Sequence, residues 1–132
     1  MKRREFIEKA GCSIAGIAAG TGLSAATLAG QSGCKKYTYQ IEVVEAAEDT
    51  RCHEKGDIFK YPEELGKICP SMRDSMAPFI RVLEFGGVLP WTYKGTPYEK
   101  EMDPDGVTTE FVRCPDPTRK GIVVKIIRTR VT

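Results

Sequence analysis

Hydrophobic and polar side chains alternate along the segment 37–45. Successive side chains of a strand point to opposite faces, so this alternation predicts a half-buried β-strand. A second, short strand is predicted at 58–61, and a β-hairpin is predicted from the segments 107–114 and 121–131. The last segment is apolar on both faces over most of its length, which indicates a central strand. The loop 115–120 between the hairpin strands is long enough to have a role of its own.

The segment 71–85 has the period of an amphipathic helix. Its large apolar residues recur at spacings of three and four, which forms one stripe that must face the sheet: Met72, Met76, Phe79, Ile80 and Leu83. Ser71 and Ser75 are both suitable N-caps, and Ser75 is favoured because Pro78 then falls in the first turn. Gly86 and Gly87 would end the helix. The sequence therefore predicts an α+β fold, a small antiparallel sheet of about four strands with one packed helix.

The residues after position 33 carry no net charge. Four of the 20 Lys and Arg residues and two of the 18 Asp and Glu residues precede position 34, which leaves 16 of each. Phosphate binding normally needs a basic face, so a nucleic-acid partner is disfavoured. The basic residues near the C-terminus are interpreted as the solvated side of a strand: Lys125, Arg128 and Arg130. The range 34–132, about 100 residues, is sufficient for one small domain and not for two.

The range 1–33 has the composition of an export signal. A charged start is followed by an uncharged stretch, 10–30, built mostly of Ala, Gly, Ser and Thr. The start resembles twin-arginine translocation leaders at Arg3, Arg4, Phe6 and, less closely, Ile7, whereas Lys2 and Glu8 depart from the pattern. The resemblance implies transport of the folded protein by the twin-arginine translocation machinery to the periplasm or another extracytoplasmic site, and it favours a cofactor acquired beforehand. A Sec signal or a membrane helix is the alternative.

The leader has three predicted fates. Cleavage after the small-x-small sequence 27–29 would start the mature chain near Gly30. Gly33 and Cys34 resemble the end of a bacterial lipobox, in which Cys34 would carry a lipid. An uncut stretch would remain as an anchor, because about 20 residues just span a bilayer. In each case the membrane is contacted only through the leader or the lipid on Cys34.

Three cysteines lie at the ends of predicted elements. Cys52 lies in a loop, Cys69 precedes the helix and Cys114 ends a strand. Small movements of the backbone would bring them together as ligands of zinc, copper or iron. A helix N-terminus favours the thiolate, which would make Cys69 the most reactive of the three. The alternatives are burial as small apolar residues, or one disulfide and a spare thiol.

The single histidine, His53, is the conventional general base of the chain. Adjacent side chains on extended backbone point apart, so a nucleophilic pair would join His53 to Cys69 or Cys114 rather than to Cys52. The alternative interpretation is an exposed loop histidine. Both remain open from the sequence.

An aromatic cluster, Trp91, Tyr93 and Tyr98, follows the Gly-Gly pair. Trp91 and Tyr93 are candidates to line a ligand groove near Cys69. The alternative is that these rings cover an open edge of a small core.

Several short motifs in the range 37–131 occur together in a fixed order: Cys52, Gly56-Asp57, Cys69-Pro70, Gly86-Gly87, Trp91 and Cys114. In this combination the chain resembles a family of small uncharacterised bacterial and archaeal proteins. The resemblance implies a single domain with grouped cysteines and brings no assigned activity. The family has an aromatic residue such as Trp where this chain has the segment 71–73, Ser-Met-Arg, so a pocket there would differ.

The sequence thus predicts a non-catalytic, exported cell-envelope protein that binds a metal or cofactor, or accompanies a redox enzyme, through Cys52, Cys69 and Cys114. One alternative is a small thiol-based enzyme with Cys69 as nucleophile and His53 as base or electrostatic helper. Another is a purely structural domain whose cysteines pack or form disulfides.

Overall fold

The structure, a computed structural model, describes residues 36–132. Four strands form one antiparallel sheet in the order β2-β1-β4-β3: β1 (Lys36–Glu45), β2 (Ile58–Tyr61), β3 (Val107–Arg113) and β4 (Val123–Val131). A helix, α1, spans Pro70–Glu84 and follows a 3₁₀ turn at Leu65–Lys67. The predicted α+β fold and the central position of β4 are confirmed. No helix within 36–132 has the length and apolar character needed to cross a membrane.

The predicted leader and its motif residues lie outside the described part of the chain: Arg3, Arg4, Phe6 and Ile7. The lipidation candidate Cys34 also lies outside it. Their roles therefore stay predictions.

The core lies between α1 and one face of the sheet. On the helix, four residues of the predicted stripe have exposed fractions of 3% or less, Met72, Met76, Ile80 and Leu83, and the fifth, Phe79, is partly buried. On the sheet, Ile41 pairs with Ile126 and Val43 with Val124, so the centre of the facing surface is aliphatic. Each such side chain contributes about 1.5 to 3 kcal/mol when fully buried, so the helix and its N-terminus are held firmly on the sheet.

The predicted helix start at Ser75 is wrong. The helix begins at Pro70 with Cys69 as its N-cap residue. Proline at the first helical position fits, because the N–H that it lacks would have no intrahelical partner there. Ser75 lies inside the helix and its hydroxyl donates to the carbonyl oxygen of Ser71 over 2.9 Å, while Pro78 is also internal. The earlier start places Cys69 directly at the helix N-terminus.

Arg128 is buried. The prediction that the basic residues near the C-terminus lie on the solvated side of a strand is therefore wrong for Arg128. Its exposed fraction is 1%. The guanidinium donates to the carbonyl oxygens of Leu83, at 2.9 Å, and Gly87, at 3.0 Å, and to the Thr108 hydroxyl at 3.0 Å. The last carbonyls of a helix lack intrahelical partners. Arg128 therefore faces the C-terminal end of α1, where it adds a charged donor to the Leu83 carbonyl oxygen, which also accepts from the Gly86 N–H, and to the Gly87 carbonyl oxygen beyond the helix.

Both edges of the described sheet form hydrogen bonds with neighbouring segments of the chain. On β2, Lys60 donates its N–H to the Glu64 carboxylate and accepts from the Glu64 N–H, both over 2.8 Å. On β3, the Thr109 N–H donates to the Glu101 carbonyl oxygen over 2.9 Å. A bridge between Met102 and Thr108 extends the second contact.

Candidate thiol site

Cys69 is positioned by the N-terminus of α1. Cys69 is the N-cap residue of this helix, and the first N–H groups of a helix have no intrahelical partners. Burial alone would raise the pKa of the Cys69 thiol, but hydrogen bonds to the thiolate from the N–H groups of Met72 and Ser71 outweigh it. The Cys52 thiol and the Ser71 hydroxyl act in the same direction, so the pKa of Cys69 lies below its ordinary value. The thiolate is the nucleophilic form of cysteine, and Cys69 therefore reaches that form more readily than Cys52.

Cys52 lies beside Cys69 in the loop between β1 and β2. The residue is exposed as a whole. Desolvation is nevertheless the largest cause that raises the pKa of its thiol, followed by the hydrogen bond to Cys69 and by the negative charge of Cys69. Cys52 thus stays protonated where Cys69 ionises. The two residues form an unequal pair, in which the pKa of Cys69 is lowered and that of Cys52 is raised.

Cys114 follows the end of β3 at the same end of the sheet. Its N–H donates to the Ile122 carbonyl oxygen over 2.8 Å, which continues the pairing of β3 with β4. Its charge also raises the pKa of Cys52, and its side chain packs against the core, as that of Cys69 does. All three cysteines of the described chain are free thiols. No group of three or more His, Cys, Asp or Glu residues within 36–132 is arranged to hold a metal ion, and the metal site stays a prediction.

His53 holds the backbone of Cys69. Its Nε2 accepts a hydrogen bond from the Cys69 N–H over 3.0 Å. The side chain is only 8% exposed and its ring contacts Phe59, with centroids 5.3 Å apart, so the interpretation as an exposed loop histidine is wrong. With Nε2 as acceptor, the ring proton lies on Nδ1, 3.9 Å from the Asp57 carboxylate. His53 can therefore accept a proton from a thiol only if the bond to Cys69 breaks.

Replacing His53 with Ala is expected to lower the free energy of unfolding by about 1 to 3 kcal/mol, because a partly buried N–H loses its acceptor. The loss is expected to slow alkylation of Cys69 as well, since the helix N-terminus is no longer held. His53→Gln, which retains an acceptor oxygen, is the matched control and should retain more of both properties. Urea unfolding and iodoacetamide labelling measure the two effects. If the Ala and Gln variants have the same free energy of unfolding and the same alkylation rate of Cys69, the hydrogen bond from the Cys69 N–H to His53 has no role in either property.

Two loops meet beside Cys52. The Thr50 hydroxyl donates to the Lys120 carbonyl oxygen over 3.1 Å, and the Lys120 ammonium lies 3.4 Å from the Asp49 carboxylate. The negative charge of Asp116 adds to the rise in the pKa of Cys52. Between the loops lies a pocket of about 350 Å³ with four lining residues: Ala47, Glu48, Asp49 and Arg119.

Trp91 and Tyr93 lie over a buried ion pair. The Lys100 Nζ lies 5.4 Å from the ring centroid of Trp91 and 5.6 Å from that of Tyr93. The same Nζ lies 2.7 Å from the Glu110 carboxylate, with side-chain exposures of 0% and 3%. Tyr93 also borders a second pocket, of about 240 Å³, lined in addition by Tyr98, Phe111, Arg113 and Val123. No cysteine lines that pocket, so neither aromatic residue is placed in a groove beside Cys69.

The buried pair of Lys100 and Glu110 was not predicted from the sequence, although one signal for it was present. Glu110 and Val112 are two residues apart in β3 and so share a face of the sheet. A carboxylate on the core face needs a buried cation. Lys100 could not be identified as that cation from the sequence, because it lies in an irregular segment whose path follows no period.

Comparisons of the chain with protein families, curated proteins and solved structures found no match.

Proposed function

We propose that this protein is an exported thiol-redox domain in which Cys69 and Cys52 form a reversible disulfide. The observation that carries the proposal is that Cys52 lies close enough to Cys69, the N-cap residue of α1, for the two thiols to shift each other's pKa in opposite directions. Cys69 ionises to the thiolate more readily, and Cys52 stays a thiol. Such an arrangement favours attack by Cys69 and resolution by Cys52.

The proposed exchange needs only a disulfide as oxidant. The Cys69 thiolate attacks one sulfur of the substrate disulfide, whose S–S bond breaks and whose first half leaves as a thiolate. Cys52 then loses its proton and attacks the Cys69 sulfur in the mixed disulfide. The Cys52–Cys69 bond forms, the second half leaves and takes up the proton, and the protein has lost two electrons to the substrate. A reducing partner, such as a redox enzyme of the envelope, would reverse the sequence.

The location of this activity follows from the leader. The residues that resemble a twin-arginine signal, Arg3 and Arg4 above all, support export to the periplasm or another extracytoplasmic compartment. Disulfides form and persist in such compartments. A dithiol in such a compartment therefore encounters both oxidants and disulfide-bonded substrates.

A thiolate-bound metal ion is a second candidate function. The observation that favours it is the third cysteine, Cys114, whose charge acts on Cys52. Soft ions such as copper(I) and zinc prefer thiolate ligands. Loop movement at Cys52 would be needed to complete such a site.

Equilibration of the purified protein in glutathione buffers of graded potential tests the proposal. Free thiols are then blocked by alkylation and the bridges are mapped by mass spectrometry. The free thiols of Cys52 and Cys69 are expected to disappear together in one two-electron step, while Cys114 remains a free thiol and is alkylated. In the Cys114→Ser variant, the Cys52–Cys69 bridge should form at the same potential. Recovery of stoichiometric metal with all three thiols unreactive would favour the second candidate. Independent oxidation of single cysteines would contradict both.

A further inference from the structure

The second pocket lies on the face of the sheet that is turned away from α1. Phe111 and Arg113 are two residues apart in β3 and share that face, while Val112, between them, packs in the core. The pocket has a volume of about 240 Å³ and five lining residues: Tyr93, Tyr98, Phe111, Arg113 and Val123. Drug-sized ligands fill sites of about 300 to 1,000 Å³, so this pocket suits a smaller ligand.

Aromatic rings form most of the lining. Tyr98 and Phe111 meet edge to face, with ring centroids 5.6 Å apart and planes at 67°. Tyr93 is 45% exposed, so part of its side chain is open to a ligand. Aromatic rings attract one another in offset or edge-to-face arrangements with centroids about 4.5 to 7 Å apart. The lining therefore favours a ligand with a flat aromatic body.

The backbone holds Tyr93 in an unusual conformation. Its φ is 52°, in the left-handed region that bulky residues rarely adopt. The Tyr93 carbonyl oxygen accepts from the Thr96 N–H over 3.2 Å and from the Thr96 hydroxyl over 2.6 Å. The Lys100 N–H donates to the Thr92 carbonyl oxygen over 3.0 Å and closes the loop. The backbone that carries the Tyr93 ring is thus fixed before a ligand binds, which lowers the entropy cost of binding.

Arg113 alone is charged among the five lining residues. Its Nη2 donates to the two carboxylate oxygens of Glu45, at 3.3 and 3.4 Å, and to the Tyr98 hydroxyl at 3.1 Å. Within the range 36–132, the N–H groups on its Nε and Nη1 form no hydrogen bond. Lys125 adds a second positive charge, with its Nζ 6.0 Å from the Phe111 ring centroid. An anionic group of a ligand can therefore bind Arg113 while Glu45 keeps its own contacts.

We propose that this pocket binds a small aromatic carboxylate, such as phenylacetate. The ring of the ligand packs against Tyr93, Tyr98 and Phe111. Its carboxylate pairs with the guanidinium of Arg113, whose planar set of N–H groups suits that anion. The inference is independent of the proposed redox function, because no cysteine lines the pocket.

Four ligands separate the contribution of the ring from that of the charge. Phenylacetate has both, phenylacetamide has only the aromatic ring, cyclohexylacetate has only the charge, and cyclohexylacetamide has neither. Each is titrated into the isotope-labelled protein, and the dissociation constant is taken from the shifts of the backbone amide signals in NMR spectra. Phenylacetate is expected to bind most tightly and to shift the signals of Tyr93, Phe111 and Arg113.

Three variants assign the two contributions to residues. Arg113→Gln is expected to raise the dissociation constant of phenylacetate about fivefold, the equivalent of one exposed ion pair, and to leave that of phenylacetamide unchanged. Arg81→Gln is the matched control, because Arg81 is an exposed arginine paired with one glutamate, Glu84, and does not line the pocket. Tyr93→Gly should weaken the binding of both phenyl ligands and leave the fold intact, since glycine adopts a positive φ without strain.

The outcomes decide the inference without reference to the thiols. A loss of carboxylate preference in Arg113→Gln, together with a loss of ring preference in Tyr93→Gly, supports it. The inference is overturned if phenylacetate binds no more tightly than cyclohexylacetamide, if the shifted signals lie away from the pocket, or if Arg81→Gln weakens phenylacetate as much as Arg113→Gln does.

Discussion

Replacing Lys100 with Met is expected to lower the free energy of unfolding by about 3 to 5 kcal/mol, as removal of one partner from a buried ion pair does. The Lys100 Nζ has no exposed surface and lies 2.7 Å from the Glu110 carboxylate, which is itself 3% exposed. Its further bond to the Leu89 carbonyl oxygen, at 3.3 Å, would also be lost. A small domain has a total stability of about 5 to 15 kcal/mol, so the change removes a large share of it. Urea unfolding monitored by circular dichroism measures the effect.

Two control variants show whether burial is the cause. Lys120→Met breaks the exposed pair with Asp49 and is expected to cost no more than about 1 kcal/mol. The double variant Lys100→Met/Glu110→Leu removes both buried charges and is expected to recover most of the loss. A loss in Lys100→Met no larger than that in Lys120→Met would contradict the buried pair.

Replacing Cys69 with Ser is expected to abolish the fast phase of iodoacetamide labelling at pH 7 and to prevent the intramolecular bridge. In the wild-type protein, labelling of Cys69 should rise with pH through a pKa below that of an ordinary thiol, because the thiolate is the reactive form. In the variant, the remaining labelling of Cys52 should rise only at higher pH. At a pH below both pKa values, each unit that separates the pKa of Cys69 from that of Cys52 corresponds to about a tenfold difference in thiolate fraction.

Cys114→Ser is the matched control for this experiment. Its fast phase and its bridge are expected to resemble those of the wild-type protein, since the contacts that lower the pKa of Cys69 come from Met72, Ser71 and Cys52. Rates are measured by mass spectrometry of labelled peptides between pH 5 and pH 10. A fast phase that survives in Cys69→Ser and disappears in Cys114→Ser would assign the reactive thiol to Cys114 instead.

The elements of this fold could be predicted because their periods are local properties of the sequence. The stripe of Met72, Met76, Ile80 and Leu83 faces the sheet, as its spacing requires. The helix start could not be predicted, because Pro70 and Pro78 both suit a first turn and only the packing of the helix decides between them. Alternation likewise cannot tell whether Arg128 faces solvent or the carbonyls of Leu83 and Gly87.

The candidate site was predictable only in part. Cys52, Cys69 and Cys114 were predicted as candidates because they lie at the ends of elements. Cys69 was predicted to be the most reactive because a helix N-terminus favours the thiolate. The contact of His53 with the Cys69 backbone had no sequence signal, because it joins residues 16 positions apart through tertiary structure. The charged pocket was missed for the same reason, since its walls belong to two loops brought together by Thr50 and Lys120.

The covered sheet edges oppose association between copies of the domain. Two copies of the domain could join by strand addition only after breaking the contacts of Lys60 with Glu64 and of Thr109 with Glu101. Copies that meet at high local concentration are therefore protected from polymerising through their sheets. A disulfide between copies could form instead at the exposed Cys52, and reductant would break a cross-link of that kind.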